Sequence, residues 1–350
     1  MNILQVSPRY PPHTGGVEKQ VQELSERLVD RGHEVTVVTA DASDDVERRE
    51  TRNGVIVRRH GSLTPEGAIH FAPGIRRAVQ QRDANLVHAH NVHSLPLPIA
   101  SFSANAPVIA TAYYHGASSS RWRNALWVPY RPVARRALRH ARTVTAVSEW
   151  ERRTIRDDFG VDPEVIPIGL ETAKFRNATP IDRDRPYLLT VSRLEEYKGV
   201  QHAIRALTEL PEYDLLVAGD GPYRDDLKSI ASEVGVADRV EFLGNLDHDV
   251  LPGYYAGAAA YCSFSEFESF GITVAEALAS ETPAVVLEAT ALADWTKRSD
   301  VVGVSNVDTE AVAGAIEDVI GRDAPSASIA TWEDTADRYE DRYRATIESE

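Results

Sequence analysis

The chain has 350 residues, of which 43% are hydrophobic and 26% are charged, and its formal net charge is -15. These values are typical of a folded protein long enough for two α/β domains, and the acidic balance argues against nucleic acid as a partner. Cys262 is the only cysteine, which excludes an intramolecular disulfide and a cysteine-based metal cluster.

The first half alternates short apolar runs with helical or loop segments. Gly15 and Gly16 end the loop between the first run and a helix that starts at Val17 and ends near Gly32, and glycines there let the backbone approach a ligand. A plain loop is the alternative, because the third glycine of a dinucleotide fingerprint is missing. Strands are predicted at 3–6, 35–39, 55–58, 86–89, 108–112, 143–147 and 165–169. The alternation predicts one doubly wound domain.

Histidines accumulate at the ends of two of these strands. His88 and His90 share a strand face, and with His93 they have a spacing that resembles a metal site. No carboxylate lies near them in the sequence, so we prefer histidines at the strand edge that face an interdomain cleft. His115 directly follows the next strand, where a polar side chain is expected to face a ligand.

Arginines and two tryptophans are concentrated between Arg121 and Arg142, in a region without Asp or Glu. This stretch predicts contact with an anionic lipid surface or a phosphorylated acceptor, at roughly 1 kcal/mol per arginine in ordinary salt. An equal alternative is a surface helix whose arginines pair with acidic neighbours. Pro129 and Pro132 predict that no single long helix spans the stretch.

The second half repeats the alternation after a polar linker at 173–186. Strands are predicted at 187–192, 215–218, 240–243, 258–264 and 284–287, which indicates a second doubly wound domain. Arg193 and Lys198 follow its first strand, and Gly219 follows its second, so all three are expected at one edge of the sheet.

Two further segments of the second half are singled out by residue type or spacing. Asp247 and Asp249 resemble the metal-binding Asp-x-Asp of some sugar transferases, but their place before a helix predicts helix caps instead. Near the end of the chain, helical spacing from Trp332 to Ile347 predicts a terminal helix.

The stretch from Glu268 to Glu276 combines two carboxylates with a glycine turn and a helix start. Backbone N–H groups at Phe270, Gly271 and Ile272 would be unpaired first-turn donors, which suit a phosphate or diphosphate. Glu268 lies just outside the helix and Glu276 about two turns inside it, so both suit hydroxyl groups beside that phosphate. A diphosphate between two polyols describes a nucleotide sugar. An ordinary amphipathic helix is the alternative.

The balance of basic residues indicates the cellular setting. Lysine occurs only at positions 19, 174, 198, 228 and 297, whereas Asp and Glu reach 53. We prefer a halophilic protein over an acidic protein of a GC-rich mesophile. The beginning of the chain lacks a basic signal region, and no stretch is apolar enough to span a bilayer, which predicts a cytoplasmic location.

Over nearly the full length, these motifs resemble those of the retaining glycosyltransferases of family 4. The motifs are Gly15-Gly16-Val17-Glu18, Val147-Ser148, Ile166 to Gly169, Val191 to Gly199, Gly219-Asp220-Gly221-Pro222 and Glu268 to Glu276. The resemblance implies the α/β GT-B fold, with two facing Rossmann-like domains. These would be an acceptor-side domain over 1–172 and a nucleotide-sugar domain over 187–330, with a C-terminal helix at 331–348 that packs back on the first.

The resemblance also implies an activity. It is a hexosyltransferase that moves a hexose from a UDP- or GDP-sugar to a lipid-linked or polysaccharide acceptor at the cytoplasmic membrane face. In this family attack is ascribed to the front face, with no enzyme nucleophile, metal or cofactor. A non-catalytic nucleotide-sugar-binding subunit and a nucleotide-sugar epimerase on the same fold are the alternatives.

Roles for individual residues follow from the matching positions. The resemblance implies that Arg193 and Lys198 stabilise the leaving diphosphate, that Glu268 contacts the sugar hydroxyls and that Glu276 contacts the ribose. The remaining donor-binding positions are Gly15, Gly16, Gly219, Phe270, Gly271 and Ile272.

The chain departs from the family at two places. Tyr113 stands where many relatives carry a histidine, while His115 is retained, so either side chain could take the sugar contact on the first domain. The loop after Leu287 lacks the glycine pair that is common in relatives, which predicts unusual specificity.

Overall fold

The computed structural model describes residues 1–13, 15–41, 46–64, 69–80, 83–116, 121–322 and 329–349, without the side chains of residues 121–125. The chain forms two compact units, Met1–Gly169 with Trp332–Glu350, and Leu170–Thr331. The segment 173–186, expected to be a linker, belongs to the second unit. Its helix Thr172–Arg176 is anchored by the buried ring of Phe175, which packs against Tyr255 at 5.9 Å between ring centroids.

Each unit contains one sheet that is largely parallel. In the first unit the strands are β1 Asn2–Ser7, β2 Glu34–Asp41, β3 Arg49–Arg52, β4 Val55–Gly61, β5 Leu86–His90, β6 Val108–Thr111, β7 Thr143–Ala146 and β8 Glu164–Val165. In the second they are β9 Tyr187–Val191, β10 Asp214–Ala218, β11 Val240–Gly244, β12 Ala260–Ser263, β13 Ala284–Leu287 and β14 Val301–Val304. The orders are β3-β4-β2-β1-β5-β6-β7-β8 and β11-β10-β9-β12-β13-β14. Only β3 pairs antiparallel among these described strands.

Helices connect the strands in both units. They are α1 Gly16–Asp30, α2 Gly74–Gln80, α3 Pro96–Ser103, α4 Arg121–His140, α5 Glu149–Phe159, α6 Thr172–Arg176, α7 Val200–Ala206, α8 Arg224–Glu233, α9 Leu251–Gly257, α10 Ile272–Ala279, α11 Leu292–Trp295, α12 Thr309–Ile320 and α13 Trp332–Glu348. The last of them, α13, belongs to the first unit although the whole second unit precedes it in the chain.

Two sequence predictions about elements of the first unit were wrong. The helix α4 is not interrupted, because Pro129 and Pro132 lie inside it. Ala134, Ala137 and Leu138 are fully buried in the core, and this packing outweighs the hydrogen bonds that the prolines remove.

The strand predicted at 165–169 is reduced to the two residues of β8. Pro167 has no N–H group to donate to a neighbouring strand, which explains why pairing stops there.

The parallel order places the carboxyl ends of the strands of each sheet at one edge. In the second unit, that edge carries the loops that follow β9, β10, β12 and β13. In the first unit, it carries the loops that follow β1, β5 and β6. Loops at this edge form the ligand sites of open α/β sheets, and the predicted site residues lie in these loops or in the helices that follow them.

Candidate functional site

The loop between β12 and α10 ends in a glycine that the fold requires. Gly271 has φ of 86° and directly precedes the first residue of α10. A Cβ there would lie 2.9 Å from Cδ2 of Leu292, so both the backbone conformation and the space favour glycine. The start of α10 has no side-chain cap. Its first N–H groups are therefore suited to an anion, as the sequence predicts.

Lys198 and Glu268 form an ion pair beside this helix start. Nζ of Lys198 lies 2.6 Å from Oε1 of Glu268, and the two side chains are 17% and 25% exposed. Burial opposes the charge of Lys198, but the Glu268 carboxylate outweighs it and raises the pKa of the lysine. Gly199 lets the two loops approach closely, because a Cβ at this position would lie only 2.3 Å from the carbonyl oxygen of Phe264. A cation and an acid that lie far apart in the chain are thus in direct contact in the fold.

The main chain from Glu268 to Phe270 is held by the segment that follows β13. The Glu268 N–H donates to Oγ1 of Thr290 at 3.0 Å, and the Ala291 N–H donates to the Glu268 carbonyl at 3.2 Å. The indole N–H of Trp295 donates to the Phe270 carbonyl at 2.6 Å. This segment, which the sequence marked only for its missing glycines, fixes the position of the candidate site loop.

Glu276 lies inside α10 and has a partner that the sequence did not indicate. The hydroxyl of Tyr255, a buried residue of α9, donates to Oε2 of Glu276 at 2.8 Å. Burial raises the pKa of Glu276 to about 7, although the Tyr255 hydrogen bond acts in the opposite direction. The carboxyl group therefore titrates near neutral pH, and one of its oxygens has a fixed orientation.

The loops after β9 and β10 lie against each other. Gly219 has φ of 114°, and a Cβ there would lie 1.9 Å from the Ser192 carbonyl oxygen, so glycine is required. The next residue after Ser192, Arg193, is 72% exposed, and its Nε lies 3.1 Å from Oε1 of Glu195. The two cations predicted to hold a diphosphate are therefore each paired with a different acid in this structure.

Asp247 and Asp249 do not cap α9, contrary to the sequence prediction. Oδ1 of Asp247 accepts the N–H of Asp249 at 3.2 Å, whereas the start of α9 has no side-chain cap. Asp249 pairs with Lys174 at 2.8 Å. The Asp247 side chain thus stabilises a turn before the helix, and the Asp249 side chain forms an ion pair, so neither bonds to the first helical N–H groups. Within the described ranges, no group of three His, Cys, Asp or Glu could hold a metal ion.

In the first unit, Gly15 directly precedes α1, and Gly16, expected to end the loop, is the first residue of this helix. Gly15 has extended backbone, and a Cβ there would lie 2.3 Å from Oε2 of Glu18. The carboxylate of this first-turn residue thus lies close to the glycine. A negative side chain at a helix start compensates part of the positive end of the helix dipole.

His88 and His90 are fully buried, so the prediction that they face a cleft was wrong. They do share a face of β5, with ring centroids 3.9 Å apart. That face is covered by Tyr343 of α13, whose hydroxyl lies 2.6 Å from Nδ1 of His88. Burial lowers the pKa of both histidines, that of His90 to about 3. They are neutral hydrogen-bonding groups of the core.

Tyr113 and His115 have different surroundings. Tyr113 is 6% exposed, and its hydroxyl lies 3.3 Å from Nδ1 of the buried His90. Burial raises its pKa well above the usual value. His115 is partly exposed and stacks on His93 with ring centroids 4.4 Å apart. Of the two side chains, His115 is therefore the more accessible to a ligand.

Glu151, which the sequence analysis did not single out, fixes the backbone of this loop. Its carboxylate accepts the N–H groups of Tyr114 and, at 2.6 Å, of Val147, and the residue is fully buried. Burial raises the pKa of Glu151 to about 8, while these hydrogen bonds lower it. The clamp joins the loop after β6, which carries Tyr113 and His115, to the end of β7.

The arginine-rich helix α4 has an exposed face of mixed character. Its exposed apolar residues are Leu126, Val128 and Val133, with 45%, 71% and 41% exposure. Exposed arginines follow at 131, 135, 136 and 139. Arg131 pairs with Asp158, as the alternative of acidic neighbours predicts for this position. The side chains of Arg121, Trp122 and Arg123, which the prediction included, lie outside the described residues.

Trp127 of α4 turns inward rather than outward. Its ring packs against His93 at 4.6 Å and against Tyr114 at 5.8 Å. None of the helices in the described ranges combines the length and the apolar character that a bilayer span requires.

Solved structures with the same fold cover the whole chain. A sucrose-phosphate synthase from Thermosynechococcus elongatus matches with a TM-score of 0.82 and 19% identity over 100% of both chains. The Anabaena protein HepE, solved in complex with UDP, matches with a TM-score of 0.74 and 19% identity over 100% of this chain and 98% of that one. These neighbours are GT-B glycosyltransferases, which confirms the predicted GT-B fold class.

Sequence comparisons identify the family. Residues 14–174 match the model described as Glycosyltransferase Family 4, and residues 171–330 match the model described as Glycosyl transferases group 1. A GDP-mannose-dependent alpha-(1-6)-phosphatidylinositol monomannoside mannosyltransferase from Mycolicibacterium smegmatis is 30% identical over 315 residues, which are 81% of this chain and 79% of that relative. The prediction of an enzyme of the hexosyltransferase class is confirmed. The chain belongs to glycosyltransferase family 4.

Proposed function

We propose that this glycosyltransferase moves a hexose from a UDP- or GDP-sugar to a lipid-linked or polysaccharide acceptor, with retention of configuration and without a metal or other cofactor. The observation that carries the proposal is the Lys198–Glu268 pair, 2.6 Å apart, beside the uncapped start of α10. A cation and free N–H groups suit a diphosphate, and an acid beside them suits the hydroxyls of the attached sugar.

The proposed roles of the individual residues follow from their charges and their exposure. Lys198 and the exposed Arg193 provide positive charge for the departing diphosphate, which a divalent cation supplies in other transferases. Glu276 accepts from the ribose, and Glu268 orients the hexose. His115 provides the sugar contact from the first unit, because Tyr113 is buried against His90.

Acceptor and setting are proposed from the relatives and from the surface. The M. smegmatis relative acts on a phosphatidylinositol monomannoside, which supports a lipid-linked acceptor here. The exposed apolar and cationic residues of α4 support peripheral attachment to an anionic membrane at its cytoplasmic face. The acidic composition supports function at high salt.

Donor consumption in high salt tests the proposed transfer. The protein is incubated with a panel of UDP- and GDP-hexoses and a lipid extract, with and without EDTA, and released nucleotide is measured. We expect UDP or GDP release that EDTA leaves unchanged, and an α-linked product from an α-linked donor. Release that depends on a divalent cation would overturn metal independence. Donor binding without transfer would indicate a binding subunit, and conversion of the free donor would indicate an epimerase.

Lys198→Ala tests the assignment within the site. We expect turnover to fall by about 10²-fold, because the variant lacks the cation that stabilises the leaving diphosphate. Lys228→Ala is the matched control, since Lys228 is an exposed lysine that also pairs with an acid, Asp225. Equal turnover in the two variants would remove Lys198 from the site.

A further inference from the structure

Thr290 lies in the loop after β13 and has a backbone conformation that threonine rarely adopts. Its φ is 50°, in the left-handed region. A branched Cβ is crowded there, so such residues are outliers and persist only where the surrounding structure holds them. Glycine would adopt the same conformation without strain. A threonine in this conformation therefore indicates that its side chain has a role.

The hydroxyl of Thr290 contacts the candidate site directly. Its Oγ1 accepts the N–H of Glu268 at 3.0 Å. The N–H of the next residue, Ala291, donates to the carbonyl of Glu268 at 3.2 Å. Thr290 and Ala291 thus bind the main chain of Glu268 from both its donor and its acceptor group. Ala291 and Leu292 are fully buried, so this bracket rests on a packed core.

The hydrogen bonds to the main chain of Glu268 become important when a donor binds, because the donor would compete with the Glu268 carboxylate for its partner. In this structure, the carboxylate of Glu268 pairs with Lys198. On the proposed function, Lys198 turns to the donor diphosphate, and the Glu268 side chain then loses part of its fixation. The two main-chain hydrogen bonds to residues 290 and 291 do not involve Lys198, and they fix the main-chain position from which the Glu268 side chain extends.

We infer that Thr290 is a positioning residue for Glu268, which sets the fit of the donor hexose through the hydrogen bond from the Glu268 N–H to the threonine hydroxyl. This inference rests on the proposed function, since it assigns Glu268 to the hexose. It explains why a strained threonine occupies the loop: only a residue with a side-chain oxygen accepts this N–H group.

Three substitutions separate the hydroxyl from the strain. Thr290→Ser keeps the hydroxyl, Thr290→Val keeps the branched shape without an acceptor, and Thr290→Gly removes both the hydroxyl and the crowding. If Thr290 served only to stabilise the fold, the affinity of each variant for the donor would change in line with its stability. The glycine variant, which is free of backbone strain, would then bind the donor at least as well as the valine variant.

The experiment measures affinity for the nucleoside diphosphate and for the nucleotide hexose by calorimetry, together with thermal unfolding. The hexose contribution is the ratio of the two dissociation constants. We expect the serine variant to match the wild type. The valine and glycine variants should lose about tenfold of the hexose contribution while their affinity for the diphosphate alone is unchanged. The glycine variant should unfold at a temperature no lower than the valine variant.

The outcomes are distinguishable. A glycine variant that keeps the full hexose contribution overturns the role of Thr290 and leaves the proposed function intact. A glycine variant that loses affinity for both ligands equally also overturns it, because the effect would then be general. A wild-type chain that binds neither ligand overturns the proposed function itself.

Discussion

The raised pKa of Glu276 predicts that binding of the proposed donor depends on pH. Its pKa is raised from 4.5 to about 7, mainly by burial. A ribose hydroxyl donates to the ionised carboxylate, so the proposed donor contact forms fully only above that value. We expect the affinity for nucleoside diphosphate to increase as the pH rises through 7. Below pH 7, binding should release a proton, because the bound form favours the carboxylate.

Calorimetry in two buffers of different ionisation enthalpy measures this proton release. Tyr255→Phe should move the midpoint of the pH dependence upward, since the hydrogen bond from the Tyr255 hydroxyl favours the charged form. Glu276→Gln should abolish the dependence. Glu266→Gln is the control, because Glu266 is an exposed acid of the preceding loop. A midpoint that stays the same in the Tyr255 variant would contradict the coupling.

The raised pKa of Glu276 also affects the stability of the fold, which changes with pH in the opposite direction to donor binding. A carboxyl group whose pKa is higher in the folded state favours folding below about 4.5, and this contribution is lost as the pH rises to about 7. Glu276 therefore destabilises the fold at the pH at which its charge is useful. Active sites commonly contain such groups, because a buried charge that binds a ligand lowers the stability of the fold when the ligand is absent.

Some residues of the candidate site have a local sequence signal and others have none, for a physical reason. Glu268 and Gly271 follow from local order, since a strand, a glycine turn and a helix start are visible in the chain. Lys198 was proposed through its place after a strand and through family resemblance. Tyr255 occupies an apolar helix position that is typical of a core residue, and the left-handed φ of Thr290 arises only from tertiary contacts. Neither property has a local signal.

At the scale of elements, the terminal helix α13 is joined to the sheet of the first unit by buried hydrogen bonds. The amide of Gln5 in β1 donates to the hydroxyl of Tyr343 at 3.2 Å, and that hydroxyl lies 2.6 Å from Nδ1 of His88. Nε2 of His88 in turn lies 2.7 Å from the hydroxyl of Thr111 in β6. When the Tyr343 hydroxyl donates to Nδ1, His88 carries its proton on Nε2 and donates it to Thr111. This arrangement gives a partner to the hydroxyl proton of Tyr343 and to both ring nitrogens of His88.

Tyr343→Phe tests this connection. The change leaves the amide of Gln5 and Nδ1 of His88 unsatisfied in the core, which costs about 1–3 kcal/mol per buried group. We expect a lower free energy of unfolding and faster hydrogen exchange in residues 332–348. Tyr213→Phe, in the second unit, is the control. Exchange in α13 that equals the wild-type rate would show that apolar packing alone holds the helix.

The burial of His90 also predicts that the protein loses stability in acid. The pKa of His90 is lowered to about 3 by burial, so the folded chain binds its proton less readily than the unfolded chain does. Stability should therefore decrease as the pH falls from about 6.5 towards 3, by up to about 1.4 kcal/mol per pH unit for this residue.

The secondary structure could be predicted where the apolar pattern is strong. The central strands and the helix α1 were found because buried strands are continuous apolar runs and amphipathic helices repeat every three to four residues. The strand β3 was missed, since Arg49–Arg52 has no apolar residue and forms only by pairing with β4. The strand β14 was missed as well, and its Gly303 supplies no side chain to an apolar face. The family resemblance predicted that a C-terminal helix packs back on the first domain, but not that Tyr343 of this helix covers His88, because the two residues lie far apart in the chain.

At the scale of the whole molecule, charge is unevenly distributed along an acidic chain. The net charge is -15, yet residues 85–147 contain no Asp or Glu. A strongly acidic protein is repelled by an anionic membrane unless a local cationic face offsets the repulsion. The helix α4 offers such a face, with exposed arginines beside the exposed side chains of Leu126, Val128 and Val133. At 1 M salt, the Debye length is about 3 Å, so we expect the arginines to contribute little to membrane binding and the apolar residues to contribute most of it.

Vesicle binding at two salt concentrations distinguishes these contributions. The full chain is sedimented with phosphatidylglycerol or phosphatidylcholine vesicles at about 0.1 M and about 2 M KCl, which span a wide range of screening. We expect Arg136→Gln to weaken binding to phosphatidylglycerol only at low salt. Val128→Asn should weaken binding at both concentrations, since apolar burial is not screened and strengthens the contact wherever the helix docks. The matched controls are Arg338→Gln on α13 and Val250→Asn in the second unit, which change residues that are also exposed. Equal binding by Val128→Asn and Val250→Asn at high salt would exclude α4 as the membrane-binding helix, because its most exposed apolar side chain would then contribute nothing.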